Sequence, residues 1–173
     1  MDDESTTGAP AGLIRRLAAL LYDLLLVAAL AFVATFAMLP LTHGEAILPS
    51  TQGAIGYAYH AALLLIVFAY FGGSWTRSGQ TLGLKAWRSR LETIDGRLLT
   101  WAGAAARFAL GAAIVWISLL GAWYLARPAS ALGHAGAAAM LGVAVVNCGW
   151  ILFDAAGRSL QDVACGTRVV RAS

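Results

Sequence analysis

The segment LAALLYDLLLVAALAFVATFAML, residues 17–39, is long and apolar enough to cross a lipid bilayer, and it contains an aspartate, Asp23. A membrane-spanning helix needs about 20 predominantly apolar residues. Three further segments meet or nearly meet that requirement without an internal proline: Ala54–Phe71, Ala102–Leu125 and Ala135–Phe153. We therefore predict an all-α membrane protein built as a bundle of four transmembrane helices.

The composition of the whole chain supports this class. Of its 173 residues, 60% are hydrophobic and only 12% are charged, whereas a soluble domain has about 25% charged residues. Residues 1–12 are mostly small, polar or acidic, so we predict a disordered N-terminal arm. Residues 13–173 are predicted to form a single transmembrane domain.

The distribution of basic residues predicts the orientation in the membrane. Eleven of the twelve lysines and arginines lie near the N-terminus, around the central connection or in the tail, and Arg127 is the exception. Four spans place both termini and the central connection on one side, which the positive-inside rule makes cytoplasmic. The basic residues would then face anionic lipid headgroups, and we expect no nucleic-acid partner despite the net charge of +3.

The connection between the second and third spans is more than a loop. It contains Gly79-Gln80-Thr81-Leu82-Gly83 and then mixes apolar with basic residues. We predict a small cytoplasmic segment formed by an amphipathic interfacial helix through Leu82–Arg88 and a strand through Trp87–Ile94, where the alternation has period two. The β-prone tail Thr167–Arg171 is expected to pair with this strand. No internal repeat is apparent in the sequence.

Motifs for catalysis and metal binding are absent from the sequence. There is no Walker loop and no G-x-S-x-G elbow, and none of the three histidines has a carboxylate or cysteine at metal-ligand spacing. We therefore expect no enzymatic activity, no cofactor and no metal site. The Trp and Tyr residues near the span ends, among them Tyr70 and Trp75, are typical of an aromatic belt at the membrane interface.

Charged residues inside the spans are the remaining candidates for function, because a charge at membrane depth usually has a partner or a role. Asp23 and Arg107 each lie about six residues inside a cytoplasmic helix end, or about 9 Å deep, so we predict that they form an ion pair. In the alternative, Arg107 extends to lipid phosphates and Asp23 faces a water-filled crevice. Arg16 shares a helical face with Asp23.

Three segments together resemble the RDD family, small bacterial membrane proteins named for one arginine and two aspartates. They are Arg15–Asp23, Gly79–Gly83 with the later Asp95-Gly96 turn, and Arg158–Asp162 with Gly166–Val170. By position, the resemblance implies Arg16 and Asp23 as the arginine and first aspartate, and Asp162 as the second. The usual histidine-aspartate-arginine run of the family is Gln161-Asp162-Val163 here.

The resemblance implies residence in the bacterial inner membrane and, more loosely, transport, since cation/proton exchange has been suggested for some members. Two functions stay open. In the first, the chain is a small-ion or proton-coupled transporter, or a subunit of one, and Asp23 binds the ion. In the second, it is a structural or assembly protein whose buried charges fix the helix register. Four helices leave little room for a large substrate path unless the protein forms a homo-oligomer.

Overall fold

The computed structural model describes residues 8–42, 47, 49–127 and 133–172. Its four long helices are apolar enough to cross a membrane, which confirms the predicted spans. They are α1 (Leu13–Met38), α3 (Ala54–Arg77), α5 (Trp101–Leu125) and α6 (Gly133–Gly149), the last extended by a 3₁₀ turn, Trp150–Leu152; a short helix, α2 (Pro49–Gln52), precedes α3.

Four short elements gather at one end of the long helices, and we call them the platform. They are the helices α4 (Leu82–Ala86) and α7 (Leu160–Ala164) and the strands β1 (Ser89–Thr93) and β2 (Thr167–Arg171). The strands pair antiparallel with Leu91 opposite Val169, so the predicted pairing of the central segment with the tail is confirmed. The predicted interfacial helix is also present, although it ends at Ala86.

The end of the N-terminal arm is part of this platform. The backbone N–H of Ala11 donates to Val169 at 2.9 Å, and that of Arg171 donates to Ala9 at 2.8 Å. The prediction of disorder is therefore wrong for residues 9–11, because β2 has a free edge that this segment covers. Residues 1–7 of the predicted arm lie outside the described residues.

The apolar core lies between the platform and the helix ends. In each long helix at most 11% of the apolar window is buried, as expected for surfaces that face lipid. The core's buried apolar side chains are those of Ala11, Ala19, Trp75, Leu84, Leu91, Leu99, Ala104 and Val169. Farther along the spans, α5 approaches α6 closely at Gly121, where a Cβ would lie 2.7 Å from the carbonyl oxygen of Ala137.

The two halves of the chain repeat one structural pattern, which the sequence alone did not reveal. In each half two long helices are followed by a five-residue helix and a five-residue strand. Thr81 and Ser159 cap the short helices with their side chains, and they lie 78 residues apart, as do the first residues of β1 and β2. The starts of α1 and α5 lie 88 residues apart.

Hydrogen bonds between the halves obey the same equivalence. The bond from Arg171 N–H to Ala9, at 2.8 Å, corresponds to the bond from Thr93 N–H to Arg97, at 2.9 Å. The strand register also maps onto itself, with Leu91 and Val169 at its centre. The strand pair and the residues that flank it therefore have approximate two-fold symmetry about a point between these two residues. The long helices do not follow it, since α5 packs closely along α6 while α1 makes few contacts with α3.

Candidate functional site

The carboxylate of Asp23 on α1 is buried, and the residue is only 4% exposed. Its Oδ1 accepts hydrogen bonds from the hydroxyl of Tyr70, at 2.7 Å, and from the backbone N–H of Gly83, at 2.8 Å. Its Oδ2 accepts a hydrogen bond from the hydroxyl of Thr81, at 2.5 Å. The carboxylate therefore joins α1, α3 and the start of α4.

These groups also satisfy the first turn of α4, whose N–H groups have no partner within the helix. The N–H of Leu82 donates to the Tyr70 hydroxyl at 3.1 Å, and the N–H of Leu84 donates to Thr81 Oγ1 at 3.1 Å. Asp23 accepts from the N–H between them, that of Gly83. A carboxylate is favoured at a helix N-terminus, so Asp23 stabilises α4 both electrostatically and by this bond.

The glycines around Thr81 are required by close backbone contacts. A Cβ on Gly83 would lie 2.1 Å from the carbonyl oxygen of Ala19 and 2.8 Å from Cγ of Asp23. Gly79 has a positive φ of 71°, and a Cβ there would lie 2.5 Å from the carbonyl oxygen of Leu91. The Gly-x-Thr-x-Gly spacing therefore lets α4 pack directly against α1 and β1.

Another carboxylate, that of Asp162 on α7, is fully buried. Its Oδ1 forms an ion pair with Arg107 Nη2 at 2.7 Å, and its Oδ2 forms a short ion pair with Arg16 Nη1. The backbone N–H of Ser159 also donates to Oδ2, at 3.1 Å, while Ser159 Oγ accepts from the Asp162 N–H. Asp162 thus caps its own helix and binds it to α1 and α5.

The two arginines use their other donors on the platform. Arg16 Nε donates to the Ala11 carbonyl at 3.0 Å, and its Nη2 donates to Gly157 at 2.7 Å. Arg107 Nη1 donates to Thr167 Oγ1 at 2.6 Å. Burial by itself raises the pKa of Asp162, but the charges of Arg107 and Arg16 outweigh it and hold this pKa below its usual range.

The predicted ion pair between Asp23 and Arg107 is wrong. Asp23 binds neutral donors, and Arg107 binds Asp162 instead. Arg107 is only 8% exposed, so the alternative in which it extends to lipid phosphates is wrong as well. The equal depth of Asp23 and Arg107 in the membrane does not make them partners, because α4 and α7 each place their own polar groups among the helix ends.

An additional ion pair lies beside this cluster. Arg158 Nε and Nη2 each donate to one oxygen of Asp154 at 3.0 Å. The side-chain and backbone hydrogen bonds from Arg158 lower the pKa of Asp154 to about 2. The Arg158 side chain is 26% exposed, so solvent reaches this pair more easily than the pairs of Asp162.

Comparison with known protein families matches residues 10–166 of the chain to the RDD family. The chain belongs to the RDD family. No curated protein and no solved structure matches it significantly. Arg16, Asp23 and Asp162, which the resemblance assigned to the name-giving positions, thus occupy two places: Arg16 and Asp162 bind each other, and Asp23 lies apart from them on α1, against the start of α4.

Several residues of these RDD clusters were not predicted as site residues. Tyr70 and Trp75 were assigned to an aromatic belt, but Tyr70 binds Asp23 and Trp75 is 9% exposed, with the Arg107 guanidinium 5.7 Å from its ring centre. Thr81 belongs to the Gly79–Gly83 segment of the family resemblance, but no partner was predicted for it. Thr167 was predicted only as part of a strand. Within the described residues, no three His, Cys, Asp or Glu side chains cluster as metal ligands would.

Proposed function

We propose that this RDD protein is a structural or assembly protein of the membrane, and that its buried charges hold the platform on the helix ends. The observation that carries the proposal is that the buried carboxylates of Asp23 and Asp162 are both bound by donors of the protein itself. Asp23 accepts three hydrogen bonds of 2.5–2.8 Å, and Asp162 binds two arginines and a backbone N–H. Such saturated groups stabilise a fixed arrangement.

The proposal includes the orientation of the protein in a bacterial inner membrane, with the platform and both termini in the cytoplasm. Eleven of the twelve basic residues support it, while Arg127 lies at the opposite end, 4.1 Å from the ring centre of Trp123. A reporter enzyme fused after Ala172 should be active in the cytoplasm. Periplasmic activity of that fusion would contradict the orientation.

Transport of a small ion or proton is the second candidate, and one observation favours it. Among the described residues Asp23 has no cationic partner; its three partners are two hydroxyls and a backbone N–H. An uncompensated carboxylate within a span is a common ion or proton site. In this function the protein would be a transporter or a subunit of one, and a homo-oligomer would provide the path. Both candidates are non-enzymatic and need no cofactor.

The substitution Asp23→Asn separates the two functions. If Asp23 is structural, the amide cannot accept all three hydrogen bonds, and the free energy of unfolding should fall by about 1–3 kcal/mol. If Asp23 binds an ion, the fold should persist while flux of H⁺, Na⁺ or K⁺ in reconstituted vesicles is lost. Thermal unfolding and flux would be measured on the same preparations.

Asp95→Asn is the matched control, because it removes the same charge from an exposed pair with Arg97. It should change neither stability nor flux to a measurable extent. Flux in the wild type that disappears in Asp23→Asn without loss of stability would overturn the structural proposal in favour of transport.

A further inference from the structure

A basic surface lies on the platform where α4 meets the start of α1, and none of the interactions described above uses it. Arg15 Nη1 lies 3.3 Å from the carbonyl oxygen of Trp87, to which it donates. Lys85 and Arg88 flank Trp87 and are exposed. The exposed Arg171 is paired with Ser89 in the sheet, next to Arg88. Within the described residues, none of these four cations forms an ion pair with a carboxylate.

The backbone at Arg88 has a conformation that is unfavourable for arginine. Arg88 is the one described residue other than glycine with a positive φ, 47°. It follows the C-cap of α4, a position where glycine is preferred because a Cβ is unfavourable in the left-handed conformation. The equivalent residue of the second half, Gly166, has φ of 61°. The first half thus has an arginine where the same turn in the second half has glycine.

The comparison extends to the rest of the surface. The positions in the second half equivalent to Arg15, Lys85 and Arg88 are Gly103, Val163 and Gly166. The turn and the strand therefore do not require these cations, since the second half forms both with uncharged residues at the three positions. At these three positions the positive charge belongs to the first half and not to the second.

Apolar side chains lie beside the charges and identify the partner. Leu82 is 50% exposed and Trp87 is 41% exposed, and both belong to the segment that carries Lys85 and Arg88. Cations beside exposed apolar and indole groups are typical of surfaces at the boundary between acyl chains and headgroups. Arginine and lysine bind phosphate there as donors and as charges.

We propose that Arg15, Lys85 and Arg88, assisted by Arg171, bind the phosphate of an anionic phospholipid headgroup while Leu82 and Trp87 contact its acyl region. This inference goes beyond the proposed function, because it holds whether Asp23 is structural or binds an ion. The surface would anchor the platform to the bilayer mainly through residues of the first half, so the two halves would meet the membrane unequally.

The test uses the purified full chain in detergent, with phosphatidylglycerol or phosphatidylcholine added and the thermal unfolding temperature followed as the readout. We expect phosphatidylglycerol to protect the wild type and phosphatidylcholine to protect it much less. Arg88→Gln and Arg88→Gly should each weaken the apparent affinity for phosphatidylglycerol about fivefold, the equivalent of about 1 kcal/mol. Arg88→Gly should keep or raise stability without lipid, since glycine suits the backbone.

Arg97→Gln is the matched control, because it removes one positive charge from a different turn of the platform, where Arg97 is paired with Asp95. It should leave the affinity within twofold of the wild type. The proposal is overturned if Arg88→Gly binds phosphatidylglycerol as the wild type does, or if Arg97→Gln loses as much affinity. Protection by inorganic phosphate without lipid would assign the surface to a soluble anion and also overturn it.

Discussion

The two halves of this RDD protein share one order of helices and strands, but different chemistry holds their short helices in place. In the first half, α4 is attached to α1 by hydrogen bonds from neutral donors to Asp23. In the second, α7 is attached by ion pairs of Asp162 with Arg107 and Arg16. The residues equivalent to Asp162 and Arg16 are Leu84 and Ala104, both in the buried apolar core.

Where the long helix contacts the short helix, the large and the small residue exchange places between the two halves. The residue of α5 equivalent to Asp23 is Gly111, and the residue of α7 equivalent to Gly83 is Gln161. In the first half a large side chain on the long helix meets glycine, and in the second a glycine on the long helix meets Gln161, which donates to the Arg107 carbonyl at 2.8 Å. Backbone topology is thus shared, while polar partners are specific to each half.

The largest effect should come from breaking the ion pairs of the second half. Asp162→Asn leaves Arg16 and Arg107 without a counter-charge, although their side chains are only 11% and 9% exposed. Removing one partner of a buried ion pair costs about 3–5 kcal/mol, because the remaining charge is uncompensated. We expect a loss of that order in the free energy of unfolding in detergent, or failure to accumulate in the membrane.

Asp154→Asn provides the control for this prediction. It removes the same charge from the same segment, but its partner Arg158 is more exposed and stays hydrated when left alone. Its effect on unfolding should therefore be much smaller. If the two variants unfolded at the same temperature, the ion pairs of Asp162 would not be what holds α7.

The sequence predicted the parts of this structure that depend on local pattern. Apolar length gave the four spans, and period-two alternation with β-prone residues gave the pairing of β1 with β2. The partners of Asp23 could not be predicted from the sequence, because they depend on how the chain turns back after Arg77. Only the close approach at Gly83 brings α4 beside Asp23. A depth estimate positions a residue along the membrane normal, but it does not say which neighbour shares its face.

The repeat was missed for a related reason. Over the fifteen residues from Gly79 and from Gly157, the halves share four identities: Gly79 with Gly157, Leu82 with Leu160, Ala86 with Ala164 and Arg90 with Arg168. These serve the turn, the short helix and the strand, whereas the charged residues that draw attention in the sequence are those that differ. The charged residues on which the functional hypotheses depend therefore obscure the repeat in the sequence.

The smallest effect tests the comparison most directly, by making the same substitution in both halves. In Gly83→Ala the new Cβ would lie 2.1 Å from the carbonyl oxygen of Ala19, so α4 must move away from α1 and from Asp23. Overpacking of this kind costs about 1–3 kcal/mol. In Gly111→Ala the Cβ would meet only the side chain of Gln161, with Nε2 nearest at 2.8 Å, and a flexible side chain can move aside. Alanine also favours the helix by about 1 kcal/mol, so Gly111→Ala should unfold within a few degrees of the wild type in a thermal scan, well above Gly83→Ala. A reversed order, with Gly111→Ala the less stable, would mean that the hydrogen bond from Gln161 to Arg107 holds the second half more firmly than the close approach of α4 holds the first.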